Sequence, residues 1–372
     1  MTKTSQDSSD LVHGFSFELG VRASEQERNS HLIRPGFGRI HTDHMVSISY
    51  DRQRGWDAGS LHPYRPIVLD PTAMVLHYGQ AIFEGLKAYR QPNGTIAVFR
   101  PMENANRFNR SATRLSMPQL PNDLFIRSIR ALLHVDRDWV PKNLGQSLYL
   151  RPLMFASEPM LGVRPSDQYE YILIASPADP FFSADPTPLR VWITHEYVRA
   201  APGGTGEAKC AGNYAASLLA QAEAFDAGCD QVVWLDAIAR TQVEEMGGMN
   251  LFFVEQSGDQ TRIVTPRLTG TLLAGITRLS ILQLAADAGF QAAEIDLSVD
   301  EWRDRCASGT ITEAFACGTA AVIAPIGEVR SSKSSWLVGD GGAGPITMRL
   351  RKSLLDIQHG ISEDRHGWME EM

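Results

Sequence analysis

The sequence predicts a mixed α/β protein (α+β in class) built as two domains, and three observations carry that prediction. The chain has 372 residues, more than one core serves at about 100–200 residues per domain. Strand-like and helix-like runs alternate along it. A proline cluster, Pro177, Pro180, Pro186 and Pro188, interrupts the pattern near the middle. Proline removes a backbone donor and restricts its neighbour, so a sheet does not continue through such a stretch. The expected layout is a polar, partly mobile segment over 1–30, a small α+β domain over 31–178, a linker over 179–188 and a larger domain over 189–372.

The elements follow in order. Leu76 to Arg100 reads as a short helix, a strand, a turn at Pro92-Asn93-Gly94, and a strand from Thr95 to Phe99. Asn-Gly is a hairpin signal. Helical stretches follow at 102–115 and 121–135. The apolar, aromatic-rich runs Leu148 to Ala156 and Tyr169 to Ala178 read as buried strands. Past the prolines, Arg190 to Arg199 is expected as a strand. Asn213 to Ala227 is expected as a helix capped by Asn213 and stopped by Gly228, with Leu218, Ala222 and Phe225 on one face. Gln231 to Leu235 and Leu251 to Glu255 read as strands, and Ile276 to Ala288 as a helix ending at Gly289. Ser298 and Glu301 form a capping-box signature that opens another helix.

Composition narrows the class of function. Apolar residues make up 43%, charged residues 21%, and the net charge is -8. That is an ordinary globular balance, and it argues against nucleic acid or an anionic membrane as partner, since both call for a basic surface. Four widely spaced cysteines form no CxxC pair, which suits a reducing compartment. No apolar run reaches the roughly 18–20 residues of a membrane span. The opening MTKTSQDSSD lacks the apolar stretch of a signal peptide. A cytoplasmic protein is the expectation that remains.

The segment APGGTGEAKCAGNYAASLL places Lys209 among small residues just before a helix. Lysines usually decorate surfaces. Small neighbours, however, let a bulky group approach, and a lysine that bonds to a carbonyl needs access and a lowered pKa. Three further segments carry polar chemistry. Gln242 to Asn250 sets Glu244 and Glu245 beside two glycines and the strand LFFVE. Gly275-Ile276-Thr277 opens a helix whose first N–H groups can hold an anion. Phe315 to Ala321 is a small-residue turn with a hydroxyl, able to form a second anion nest.

These segments together resemble the fold-type IV pyridoxal-phosphate enzymes, with the site at the interface of two α/β domains. Within that class the chain is similar to the longer branched-chain amino acid aminotransferases. The motifs LHYGQAIFEGLKAY, FRPMENANRF, LYLRPLMF, AKCAGNY, EEMGGMNLFF, LAGITR and FACGTAA stand in the family's order and spacing from about Phe37 onward. The resemblance implies pyridoxal 5'-phosphate bonded to Lys209, the catalytic residue. It implies Glu245 at the ring nitrogen, with Glu244 an exposed neighbour, and Tyr214 near the phenolic oxygen. Arg107, Ile276, Thr277 and Thr319 fall to the phosphate, and Arg199 lies near the cofactor. Without the motif, Arg107 would read as a surface cation beside Arg110 and Arg114.

For the substrate the resemblance implies a wall of Phe37, Tyr78, Phe83 and Tyr149. Phe181 stands where a tyrosine is usual. Thr319 and Ala320 fall to the α-carboxylate, and Arg151 to the second carboxylate of glutamate. Leu161 and Val163 reach into the partner's site of a homodimer. The implied reaction is ping-pong transamination of leucine, isoleucine or valine with 2-oxoglutarate, giving 2-oxo acids and L-glutamate. D-amino acid aminotransferases and aminodeoxychorismate lyases are the alternatives of the same fold, though shorter. Two features depart from the mammalian pattern: Gly248 replaces a threonine, and Ala321 and Ala324 replace a redox cysteine pair. No metal is expected, and His41 and His44 in HTDHM are read as core or surface residues.

Overall fold

The apolar runs pair into two sheets, each with its own core. The computed structural model describes residues 14–180 and 186–372. One compact unit comprises Met1–Phe181, Ala208–Ala211 and Gln358–Met372; the other comprises Phe182–Glu207 and Gly212–Ile357. The units are therefore interleaved, where the sequence suggested two contiguous blocks with Lys209 in the second. Four residues around Lys209 belong by their contacts to the first unit.

Among its described residues, the first unit holds a ten-stranded sheet. Its strands are β1 (Ser16–Phe17), β2 (His44–Asp51), β3 (Gly55–Trp56), β4 (Ser60–Pro63), β5 (Ala81–Phe83), β6 (Leu86–Arg90), β7 (Ile96–Phe99), β8 (Ser147–Ala156) and β9 (Gln168–Ala178), with Met369–Glu371 at the edge beside β7. The order is β1-β4-β2-β9-β8-β6-β7, with β3 on β2 and β5 on β8. The β6–β7 turn is the expected one. Asn93 accepts from the Thr95 N–H at 3.0 Å, and Gly94 takes a φ of +85° that favours glycine.

Among its described residues this unit has the α-helices α1 (Glu25–Ile33), α2 (Met74–Tyr78), α3 (Pro101–Arg114) and α4 (Asn122–Val135). Ser24 and Glu27 close a reciprocal capping box on α1, so regular structure begins inside the segment expected to be mobile. In α3, Pro101 occupies the first turn, where its missing N–H costs nothing. Asn104, Arg107, Phe108 and Ser111 recur at helical spacing and are buried. Phe108, Phe125, Ile129 and Leu132 pack with Val46, Leu148 and Leu150 of the sheet.

Among its described residues, the second unit holds a nine-stranded sheet. Its strands are β10 (Leu189–Ile193), β11 (Gln231–Leu235), β12 (Val243–Met246), β13 (Met249–Ser257), β14 (Gln260–Pro266), β15 (Gln291–Ile295), β16 (Ile311–Gly318), β17 (Val322–Arg330) and β18 (Ser335–Leu337). The path runs β12-β11-β10-β17-β16-β13-β14-β15, and β12 also pairs with β13. That extra pairing closes six strands into a ring, which removes their free edges. Ile193, Val233, Met246, Phe253, Ala316 and Ile326, one from each strand of the ring, meet in a common core.

The helices here include α5 (Ala211–Ala215), α6 (Leu218–Asp226), α7 (Ile276–Asp287) and α8 (Val299–Ala307). Three expectations change. The strand from Arg190 ends at Ile193, leaving Arg199 in irregular backbone. The single helix from Asn213 is two pieces, and Asn213 lies inside the first rather than capping it. Its amide instead clasps Thr205, accepting from the hydroxyl at 2.6 Å and donating to the carbonyl at 2.8 Å. On α6, Leu218 and Phe225 are exposed while Ala220 and Ala224 pack with Trp234. Small side chains let this helix approach the sheet closely, so the bulkier stripe faces out.

The capping box of α8 forms as expected: the Glu301 N–H donates to Ser298 Oγ at 3.2 Å, and Glu301 Oε2 accepts from the Ser298 N–H at 2.9 Å. Ser298→Ala removes one of these partners. The expected cost is about 1 kcal/mol of stability, checked by urea denaturation with unchanged m.

Candidate active site

In the first unit the backbone of Lys209 is tied down on both sides. Its N–H donates to Ser111 Oγ at 2.9 Å, and its carbonyl accepts from the Phe83 N–H at 3.0 Å. The next residue, Cys210, bridges Ile82. An irregular segment has no ladder for its polar groups, and these three contacts provide one. The Lys209 ammonium lies 4.9 Å from the centre of the Phe83 ring.

Arg151 shares that ring, at 4.8 Å, and lies 5.2 Å from the Tyr149 ring centre. It donates to the Tyr149 hydroxyl at 3.0 Å. Phe37 meets Tyr149 edge-on at 5.0 Å. Gly85 makes the arrangement possible, since a Cβ there would sit 2.0 Å from the Tyr149 hydroxyl oxygen. The result is an apolar aromatic wall carrying one guanidinium, suited to a ligand with an apolar body and a carboxylate.

Arg107 is no surface cation. It is 4% exposed and forms a two-pronged pair with Glu84, which is fully buried. The Nε–Oε1 distance is 2.7 Å and the Nη2–Oε2 distance is 2.8 Å. Arg110 and Arg114 are exposed by contrast. Paired N–H···O bonds fix the plane of the guanidinium. Glu84 stands in the motif IFEGLK, yet nothing in its spacing marks it as the partner of a residue 23 positions on.

The second unit gathers its own polar cluster. Glu245 on β12 is 2% exposed. Arg199 Nε approaches its Oε2 at 3.1 Å. Its Oε1 accepts from the Leu273 N–H at 2.6 Å and from Asn250 Nδ2 at 3.2 Å. Arg199 also donates to the carbonyls of Gly206 and Thr271, which holds it in place without a strand. Glu244 is buried too, contrary to expectation, and accepts from the Thr271 hydroxyl. Burial pushes its carboxyl above the usual range, against that hydrogen bond and the Arg199 charge. The β12–β13 turn buries both acids because the ring closes through β12.

Asn250 also shapes the start of α7. A Cβ at Gly275 would lie 2.1 Å from Asn250 Oδ1, so only glycine fits before Ile276. Gly275 offers no side-chain cap to the first N–H groups of α7. Ile276 and Thr277 are buried there. Tyr214 on α5 flanks Gly248, where a Cβ would stand 3.3 Å from the Tyr214 ring. Thr319 and Ala320 form the half-buried turn between β16 and β17. The turn ends at Val322 with a φ of +62°, costly for a β-branched residue and a known mark of functional turns. Cys317 is fully buried, and burial holds its thiol far above its ordinary range, so it stays protonated.

Other positions lie outside these clusters. Tyr78 ends α2 with its ring 6.0 Å from His77. Leu161 and Val163 are exposed between β8 and β9, Val163 by 89%. Phe181 lies outside the described residues. His44 is buried and bonds Asp136 at 2.7 Å, while His41 stacks on Tyr64 at 4.6 Å. No helix among the described residues is long and apolar enough to cross a membrane.

Known proteins share this plan. The family described as Amino-transferase class IV matches residues 81–329. A branched-chain-amino-acid aminotransferase of Mycolicibacterium smegmatis is 58% identical over 93% of this chain and 95% of its own. A probable branched-chain-amino-acid aminotransferase of Streptomyces coelicolor is 54% identical over the same shares, 93% and 95%. Among solved structures, the branched-chain amino acid aminotransferase of Escherichia coli superposes with a TM-score of 0.71 at 29% identity, over 83% of this chain and 96% of that one. The T.th. branched-chain amino acid aminotransferase complexed with N-(5'-phosphopyridoxyl)-L-glutamate gives 0.70 at 27% identity, over 87% and 97%. The same enzyme has been solved with 4-methylvaleric acid.

The Glu84–Arg107 pair makes a direct prediction. Glu84→Gln leaves a buried guanidinium without its counter-charge and is expected to cost about 3–5 kcal/mol. Adding Arg107→Met should restore part of that stability in a denaturation series, because the unpaired charge is then gone.

Proposed function

We propose that this chain, which belongs to the class IV aminotransferase family, moves an amino group between branched-chain L-amino acids and 2-oxoglutarate. The products are branched-chain 2-oxo acids and L-glutamate, and the group carrier is pyridoxal 5'-phosphate. The observation that carries this reading is Lys209 on the aromatic wall shared with Arg151, in a chain 58% identical to a branched-chain-amino-acid aminotransferase.

The polar groups present suit that cofactor. Glu245 is a buried carboxylate whose contacts include an arginine, an amide and a backbone N–H; a carboxylate held ionised in this way suits a protonated ring nitrogen. Arg107, the first N–H groups of Ile276 and Thr277, and the Thr319 hydroxyl would hold the phosphate. Tyr214 would face the phenolic oxygen. When bound, the cofactor supplies a cationic ring that accepts the electron pair left as the α-proton departs.

The residues divide the remaining work. Lys209 would anchor the cofactor, and its freed amine would take up and return the proton of the substrate α-carbon. Glu245 would hold a proton on the ring nitrogen, and Arg199 pairs with the buried Glu245 charge. Phe37, Phe83 and Tyr149 would exclude water from a branched side chain. Arg151 receives the second carboxylate of glutamate, so one pocket serves both substrates. The Thr319 and Ala320 N–H groups receive the α-carboxylate. A cytoplasmic homodimer belongs to the same proposal, with exposed Leu161 and Val163 completing the partner's site. The ligands of the T.th. enzyme support the substrate pair: one carries L-glutamate, and the other is a branched carboxylic acid with the carbon skeleton of leucine.

The test is a panel of amino donors with 2-oxoglutarate. L-Leucine, L-isoleucine and L-valine should turn over, with D-leucine inert; activity confined to D-leucine would falsify the reading. Lys209→Ala should lose the visible absorbance of the bound cofactor and about 10³–10⁴-fold in kcat.

A further inference from the structure

A serine in the middle of a helix is a poor choice on propensity, and alanine would serve α3 better. Ser111 is nevertheless there, fully buried beside Phe108 and Ala112. Its hydroxyl donates to the Arg107 carbonyl one turn back at 3.0 Å. That local bond satisfies the hydroxyl but does not explain it, because alanine would need no such bond. The oxygen has a second use: it accepts the N–H of Lys209 at 2.9 Å, from a segment 98 residues away.

We infer that Ser111 is a positioning residue for Lys209, and that α3 serves as the spacer between the two ends of the cofactor site. Arg107 and Ser111 are four residues apart and share a helix face, separated by about 6 Å of helical rise. Glu84 fixes the guanidinium of Arg107 at one point; Ser111 fixes the backbone of Lys209 at the other. The Phe83 N–H on the Lys209 carbonyl completes the clamp. The inference rests on the reading of Lys209 and Arg107 given above.

Two forms of the cofactor separate this role from mere packing. Pyridoxal 5'-phosphate carries an aldehyde that would condense with the Lys209 amine, a C=N bond replacing the C=O bond as the oxygen leaves with the two amine protons as water. Pyridoxamine 5'-phosphate has the same ring and phosphate but an amine at that carbon, so it forms no bond to the lysine. Full-length protein freed of cofactor is titrated with each form, following fluorescence and visible absorbance. Ser111→Ala should weaken the aldehyde form about tenfold, the scale of one buried hydrogen bond lost, and change the amine form less than about twofold. Ser111→Thr, which keeps the hydroxyl, should restore the aldehyde form. Ser111→Cys keeps the volume with a weaker hydrogen-bonding atom and should fall between, so it carries the test if the alanine variant folds poorly.

Equal losses for both forms would make Ser111 a packing residue and overturn the inference. So would variants that bind both forms as the parent does. A parent protein that takes up neither form would instead overturn the functional reading, and the inference with it.

Discussion

Glu84 and Glu245 lie in different units and obey the same constraint. A carboxylate taken out of water needs an opposite charge, and it needs hydrogen bonds for the lone pairs that remain. Glu84 meets it with both prongs of Arg107; Glu245 meets it with Arg199, Asn250 and the Leu273 N–H. Much else follows from placing those partners. Arg199 reaches Glu245 from irregular backbone past the end of β10, and Asn250 sits where Gly275 leaves room. Two buried charges thus specify a set of loops that apolar packing alone would leave undetermined.

The sheets give those loops a rigid frame. In the second unit the closed ring presents β12 with neighbours on both sides, so Glu244 and Glu245 are buried on a strand that would otherwise be an edge. In the first unit the β8–β9 pair runs unbroken from Ser147↔Ala178 to Ala156↔Tyr169. Tyr149 and Arg151 project from β8 with the alternation of a strand, two residues apart and therefore on the same face. Phe83 reaches them from β5, which pairs with β8 through Phe83↔Leu153. The aromatic wall is a consequence of register.

Legibility in the sequence followed the range of the interaction. The Asn93-Gly94 turn, the Ser298–Glu301 box and the stops at Gly228 and Gly289 involve residues within a few positions, and all stand as read. Lys209, Arg107 and Glu245 were picked out by motifs, which record a site without its geometry. Glu84 was inside a quoted motif and had no assigned role, because its partner lies 23 positions on. Ser111 gave no signal beyond a polar residue in a helix. Glu244 was misjudged as exposed because a hairpin turn usually faces water; ring closure reversed that. Leu218 and Phe225 share a face as their spacing implies, but which face of the helix is buried was not legible, and it is the alanine face that packs.

By itself the sequence determined the class of fold, the alternation of elements, the local caps and turns, and the motifs of the family. Those depend on side-chain period, backbone preference and residue type, which are properties of short stretches. The tertiary structure alone decided which buried charges pair, why Gly85 and Gly275 cannot be larger, and that the four residues around Lys209 join the first unit. Each of these depends on atoms brought together from distant points of the chain, and separation along the sequence carries no measure of distance in space.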